Sequence, residues 1–237
     1  MIELMILRRE NREAKPFWQR FDYEPQTPDD TLASALTALN AREELLDAEG
    51  NPASPIRWEC SCLQKKCGTC AMVIDGRPRL ACGARLSEFK KNIRVEPLRK
   101  FPVIADLMVD RSVMFRNLKE LQLWFTAEAN GKDKAMPVAY QSSRCLQCGC
   151  CLDVCPNSRP DGKFTGMASA VPMTRVLSQI PETQKKEMTR AYRLHVYEGC
   201  GKSLSCRNIC PAGLDIDEIL LNSNAIAVWK RFLQSAL

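Results

Sequence analysis

CLQKKCGTCAMVIDGRPRLAC, residues 62–82, places cysteines at positions 62, 67, 70 and 82. Four residues separate the first pair, two the next, and eleven precede the last. This is the plant-type spacing for a 2Fe–2S cluster. A compact loop from Cys62 to Cys70 can present three thiolates, and Gly68 lets backbone N–H groups come close to the sulfides. The following AMVIDGRPRL reads as a hairpin turning at Asp75-Gly76. Its far arm returns Cys82 as the fourth ligand. Cys60 is left over and is expected to be a small buried packing neighbour.

Outward from this loop, residues 1–102 read as a mixed α/β domain. IELMILR (2–8) alternates as a strand. FWQRFDYEP follows as its hairpin partner, with Phe17, Gln19 and Phe21 on one face. TPDDTLASALTALN carries Leu32, Ala35, Leu36 and Leu39 on one helical face, with Asp29 or Asp30 as the expected cap. NIRVEPL closes the domain as a strand. A hairpin, a helix and further short strands make a β-grasp arrangement.

Residues 103–237 read as helical. ADLMVDRSVMFRNLKELQLWF spaces Leu107, Met114, Leu118, Leu121 and Phe125 as a helix would, and EANGKDKAMP (128–137) reads as a loop. SAVPMTRVLSQI and PETQKKEMTRAYRL predict two helices, the second begun by Pro181. LDIDEILLNSNAIAVWKRFL predicts a last one capped by Asp215. The predicted class is thus α+β: a β-grasp plant-type ferredoxin domain, then an α-helical bacterial-ferredoxin-type domain.

That second domain carries a duplicated box. CLQCGCCLDVCP (145–156) and CGKSLSCRNICP (200–211) both have cysteine at the first, seventh and eleventh places and both end in Cys-Pro. The first is the bacterial ferredoxin run, in which the fourth cysteine serves the other cluster. Applied to both copies, this rule gives one site with Cys145, Cys148, Cys151 and Cys210, a 4Fe–4S set. It gives the other Cys155, Cys200 and Cys206. Ser203 stands where that second site's fourth thiolate would be. Three thiolates suit a 3Fe–4S cluster, whose potential should be raised because fewer anionic ligands surround it. Cys150 is spare and is expected to be structural. Four-thiolate zinc sites use similar Cys-x2-Cys pairs, but zinc does not explain a repeated box with ligand exchange.

Composition agrees with iron–sulfur chemistry. There are 13 cysteines in 237 residues, an odd number, crowded into three groups where adjacent or near-adjacent neighbours pair poorly as disulfides. The N-terminus turns charged after seven residues and has no secretory pattern. No apolar run reaches the ~18 to 20 residues of a membrane span, so any membrane contact is expected through a partner. The net charge of +6 is scattered in short pairs such as Lys65-Lys66 and Lys185-Lys186. No basic face with interleaved aromatics suggests a nucleic-acid partner.

Over nearly its whole length the chain resembles the iron–sulfur subunits of succinate dehydrogenase and quinol:fumarate reductase. The resemblance rests on residues 62–82, VEPLRKFPVIADLMVD, RCLQCGCCLDVCPN and CGKSLSCRNICP. It implies a peripheral subunit on the cytoplasmic face of the membrane, between a flavoprotein with FAD and the dicarboxylate site and a cytochrome b-type membrane anchor. Electrons would pass between FAD, the 2Fe–2S, 4Fe–4S and 3Fe–4S clusters and a quinone, with haem b possible in the anchor. No acid, base or flavin fingerprint is present, so this chain's own chemistry is electron transfer. Pro156 and Ser203 would border the 3Fe–4S cluster and the quinone. Two departures stand out. Many relatives carry tryptophan shortly after the Cys-Pro, where this chain has Asn157, Ser158, Arg159 and Pro160. Many have histidine after the cysteine matching Cys200, where this chain has Gly201. The sole histidine, His195, is expected to be a surface or capping residue. These departures favour the fumarate-reductase side of the family and menaquinone. The alternative is a soluble or thiol-linked reductase of the fumarate or heterodisulfide type. Those often add a long cysteine-rich C-terminal domain, and a chain ending at Leu237 favours the first reading.

Overall fold

The computed structural model describes residues 1–129, 136–159 and 161–229. The chain forms two compact units, Met1–Arg111 and Ser112–Leu237.

In the first unit, β1 (Ile2–Arg8) and β2 (Phe17–Tyr23) form an antiparallel hairpin with Leu4 opposite Phe21. The alternation in IELMILR is real: Leu4 and Ile6 are fully buried. Strand β5 (Asn92–Glu96) pairs parallel to β1 and antiparallel to β3 (Ala71–Ile74). Strand β4 (Arg77–Leu80) completes a five-stranded sheet of order β2-β1-β5-β3-β4. The tight β3–β4 turn is Asp75-Gly76, with φ of 47° and 77°, the left-handed pair a two-residue hairpin turn requires. Helix α1 (Leu32–Asn40) buries Leu32, Ala35, Leu36 and Leu39, each leucine contributing about 2 kcal/mol. Its cap is Thr31 rather than Asp29 or Asp30. The Thr31 hydroxyl accepts from Ser34 N and the Ser34 hydroxyl accepts from Thr31 N, a reciprocal capping box. Asp30 is committed to the preceding turn, where it accepts from the Tyr23 hydroxyl, Gln26 N and the Thr27 hydroxyl.

The first unit runs past residue 102 because residues 103–109 are not helical. They form a small hairpin, β6 (Val103–Ala105) and β7 (Met108–Val109). Asp106 at its turn has φ 43° and accepts from Arg9 N and Arg57 N, both at 2.9 Å. Its carboxylate lies 3.0 Å from Arg8 Nε, both side chains being almost wholly buried. A desolvated ion pair, with further hydrogen bonds to each partner, fastens this hairpin to β1 and overrides the helical spacing of Leu107 and its neighbours.

In the second unit, the helices are α2 (Ser112–Glu120), α3 (Met136–Ser143), α4 (Cys150–Val154), α5 (Gly166–Gln179), α6 (Glu182–Tyr192) and α7 (Ile216–Asn224). Helices α6 and α7 each run on into a π-helical turn, Arg193–Tyr197 and Ala225–Trp229. The core gathers Ala170, Met173, Val176 and Leu177 of α5 with Tyr192 and Ile219. Asp215 caps α7 through Glu218 N at 3.0 Å. Pro181 is the N-cap of α6, one place before the helix proper. Helix α5 starts before SAVPM and carries Pro172 inside it. A proline there has no N–H to give to Ala168 O. Within the expected loop 128–137, residues 130–135 lie outside the described residues, as do residues 230–233 of the expected last helix. Among the described residues no helix is long and apolar enough to cross a membrane.

Candidate metal centres

The loop after Cys62 turns tightly by placing Leu63, Lys65 and Gly68 at φ of 53°, 60° and 78°. Left-handed residues spaced among ordinary ones aim backbone N–H groups inward, as anion-binding nests do. Gln64 N and Lys66 N donate to Cys62 Sγ at 3.3 and 3.4 Å, and Lys65 N donates to Cys82 Sγ at 3.3 Å. Cys70 Sγ lies 3.3 Å from Cys82 Sγ, where the far arm of the hairpin delivers it. Both are buried, while Cys62 and Cys67 are half-buried. The four thiols thus form an inner pair, Cys70 with Cys82, and an outer pair, Cys62 with Cys67. Burial, together with Cys82 and Cys67 nearby, pushes the Cys70 thiol up to about 12. Burial acts the same way on Cys67, but donors from Thr69 and Cys62 outweigh it and bring that thiol down to about 6. The Thr69 hydroxyl is 3.1 Å from Cys67 Sγ.

Arg111 buttresses this loop. It donates to Thr69 O and Ala71 O, the carbonyls either side of Cys70, and pairs with Glu59 at 2.5 Å. Cys60 is exposed, not buried as expected. It follows Glu59 and precedes the loop in a stretch without regular structure, so nothing folds over it.

The two boxes of the second unit share one backbone. In the first, Gln147 and Gly149 have φ of 50° and 88°; at the corresponding places in the second, Lys202 and Leu204 have φ of 53° and 53°. Leu204 takes a conformation that favours glycine, so the second copy keeps the binding-loop geometry despite Ser203. Cys145, Cys148, Cys151 and Cys210 line one apolar cavity with Met167, Val171 and Ile216. Burial, with Cys148 and Cys210 close by, raises the Cys145 thiol. Cys151 is raised well above the ordinary range, first by burial and then by Cys148, Cys145, Cys206 and Cys210. Cys206 goes up to about 11 through burial and through Cys155 and Cys200. Cys210 therefore lines the cavity of the first box, and Cys155 lies near enough to Cys206 of the second to act on it. The influence of Cys206 on Cys151 makes the two groups neighbours. Cys150 is fully buried on α4 and interacts with Cys148.

Cysteines bind metal as thiolates, so a bound cluster would take the place of their protons. Among the described residues no three His, Cys, Asp or Glu side chains are placed to hold a single metal ion. A polynuclear cluster spreads its thiolates more widely than one ion does. Thiol donors converging on apolar cavities, with N–H groups aimed at sulfur, fit iron–sulfur cores.

Around the second box, Pro156 and Ser203 are exposed, and the Ser203 hydroxyl accepts from Ser205 at 3.2 Å. Asn157 Nδ2 donates to Gly199 O at 2.7 Å. The same Nδ2 would lie 2.8 Å from a Cβ built on Gly201. The two departures from the resemblance are thus one packing arrangement, in which the Asn157 amide fills space a residue-201 side chain would need. His195 is half-buried and its Nδ1 lies 3.0 Å from Lys163 O. A cavity of ≈ 350 Å³ beside Cys200 is lined by Tyr197, Lys202, Leu204, Asp217, Leu221 and Trp229, among others, and both π turns contribute to it. The sequence reading missed Thr69, Arg111 and Gln147, and it named Asn157 only as a departure, without its bond to Gly199. Thr69 and Gln147 lie between paired cysteines, which is a signal; Arg111 acts across the fold and left none.

The fold and its three thiol groups define a multicluster ferredoxin-type electron carrier. The 2Fe-2S iron-sulfur cluster binding domain family model matches residues 3–116, and the 4Fe-4S dicluster domain model matches residues 141–214. The succinate dehydrogenase iron–sulfur subunit of Bacillus subtilis is 33% identical over 226 residues, covering 91% of this chain and 88% of that one. The fumarate reductase iron–sulfur subunit of Escherichia coli O6:H1 is 28% identical over 191 residues, covering 74% and 78%. A chain of the Mycobacterium smegmatis Sdh1 complex in the apo form shares the fold, with a TM-score of 0.74 at 19% identity over 97% of both chains. This chain belongs to the iron–sulfur subunits of the succinate dehydrogenase and fumarate reductase family.

Proposed function

We propose that this chain is the wiring subunit of a quinone-linked succinate dehydrogenase or fumarate reductase. It would join an FAD-carrying flavoprotein to a cytochrome b-type membrane anchor at the cytoplasmic face. The bound clusters would supply a series of one-electron sites, 2Fe–2S, 4Fe–4S and 3Fe–4S. Cys62, Cys67, Cys70 and Cys82 would hold the first, with Cys62/Cys67 on one iron and Cys70/Cys82 on the other. Cys145, Cys148, Cys151 and Cys210 would hold the second; Cys155, Cys200 and Cys206 the third. The cavity beside Cys200 is the candidate quinone-side surface, with Lys202 and Asp217 its charged lining residues. Menaquinone is the favoured quinone, since Asn157 and Gly201 replace the tryptophan and histidine of many relatives.

The observation that carries this reading is the pair of boxes. They share a left-handed backbone at matching places, Cys210 lines the first box's cavity while Cys155 lies near Cys206, and Ser203 stands where the first box has Cys148. A serine hydroxyl is a far weaker acid than a thiol of pKa ~8.5, so it leaves the corner open. The test is electron paramagnetic resonance of air-oxidised protein. Wild type is expected to show the oxidised 3Fe–4S signal, and Ser203→Cys to lose most of it as a fourth iron enters. A wild type with three clusters by iron content but no such signal refutes the assignment.

A further inference from the structure

Resting on the ligand reading above, we infer that the Gln147 side-chain amide sets the reduction potential of the cluster held by Cys145, Cys148, Cys151 and Cys210, and that Pro172 on the neighbouring helix holds it in place. Gln147 Nε2 donates to Cys145 Sγ at 3.3 Å and to Ala168 O at 2.9 Å. Both partners are acceptors, which fixes the amide orientation: the NH2 must face them. Oε1 is left buried without a partner. A buried orphan acceptor is a cost, borne here by the orientation that gives the sulfur a donor.

Ala168 O is free to receive this amide for a reason written in the sequence. Its helical donor would be the N–H of residue 172, four places on, and residue 172 is proline. Pro172, Ala168 O, Gln147 Nε2 and Cys145 Sγ thus form one line of positioning from α5 to the thiolate. The second box lacks it. Lys202, at the place matching Gln147, has the same backbone conformation, but its ammonium lies over the Tyr197 ring at 5.8 Å. Among the differences between the duplicated boxes are therefore the thiolate number and this side-chain donor to sulfur. An N–H donor to a ligand sulfur stabilises the more negative state and raises the potential. Gln147 is a positioning residue acting through Cys145.

The experiment is a redox titration of the assembled complex, wild type against Gln147→Leu, followed by electron paramagnetic resonance. The expected result is a fall of roughly tenfold in the reduced-to-oxidised ratio of the 4Fe–4S centre at fixed poise, about 59 mV for one electron. The potential of the cluster at Cys155, Cys200 and Cys206 should stay in place. A merely structural Gln147 would cost iron content or stability without moving the potential of the centre that remains. An unmoved midpoint at full iron content overturns the inference. If Gln147→Leu does not retain the centre, wild type labelled with 15N at glutamine side-chain amides decides. Hyperfine coupling of the reduced centre to such a nitrogen supports the inference, and its absence overturns it. The ligand reading fails separately, if wild type holds no 4Fe–4S centre or if Cys145→Ala leaves one intact.

Discussion

Replacing Arg111 with methionine should detach the 2Fe–2S loop from its support without touching a thiolate. The arginine side chain is 12% exposed and its partner Glu59 is 31% exposed. Its guanidinium bonds one carboxylate and the two carbonyls flanking Cys70 at 2.5, 2.9 and 3.1 Å. Hydrogen bonds to a charged group contribute about 1.5–3 kcal/mol each, but such bonds on one side chain do not add fully. Glu59 can rehydrate once released, whereas the carbonyls beside buried Cys70 are less able to. A net loss of about 3 kcal/mol follows. For a unit near 100 residues this lowers the melting temperature by roughly 10 °C or more. The assay is a thermal ramp of anaerobic protein, following the visible circular dichroism of the 2Fe–2S centre. Arg111→Lys keeps the charge but offers one donor nitrogen where Arg111 uses two, and should fall between wild type and Arg111→Met. A drop of less than about 2 °C for Arg111→Met, with the centre fully loaded, would refute the buttress and leave the loop held by its cysteines alone.

Asp106→Asn strands the buried Arg8 guanidinium and should cost about 3 kcal/mol or more, seen as faster amide exchange in β1 and residues 103–109. Gly199→Ala places a Cβ 2.5–2.6 Å from three atoms of Phe164; it should destabilise the segment before Cys200 by about 1–3 kcal/mol and lower the iron content at the second box first. Leu204→Gly removes a φ of 53° from a residue with a Cβ and should be neutral or stabilising by up to ~1 kcal/mol in denaturant titration, as expected if the position is a structural copy of Gly149. Thr31→Ala breaks the capping box of α1 and should cost about 1 kcal/mol, read from the urea midpoint of the first unit.

The cysteine pattern alone groups the thiols into candidate centres, because short loops leave a bound cluster little choice of ligand spacing. The dipeptide Asp75-Gly76 determined its hairpin, since two left-handed residues in succession admit few sequences. Alternation in β1 and the Leu32, Ala35, Leu36 and Leu39 spacing in α1 were legible for a related reason: each element has one buried face and a fixed period. Tertiary structure decided what depends on competition between distant partners. Residues 103–109 have helical spacing, yet the buried Arg8–Asp106 pair, 98 positions apart, makes them a hairpin of the first unit. Asp30 is as good a cap as Thr31 by type, and its three bonds in the preceding turn take it away. Gly201 reads in sequence as a lost histidine; in space it makes room for Asn157, 44 positions earlier. Pro172 lies inside a stretch that reads simply as a helix, and only the fold brings the carbonyl it frees to Gln147 and so to Cys145. Local spacing is written along the chain because covalent geometry carries it. Which of two chemically adequate partners takes a buried donor or acceptor is settled only when the chain closes on itself and water is excluded.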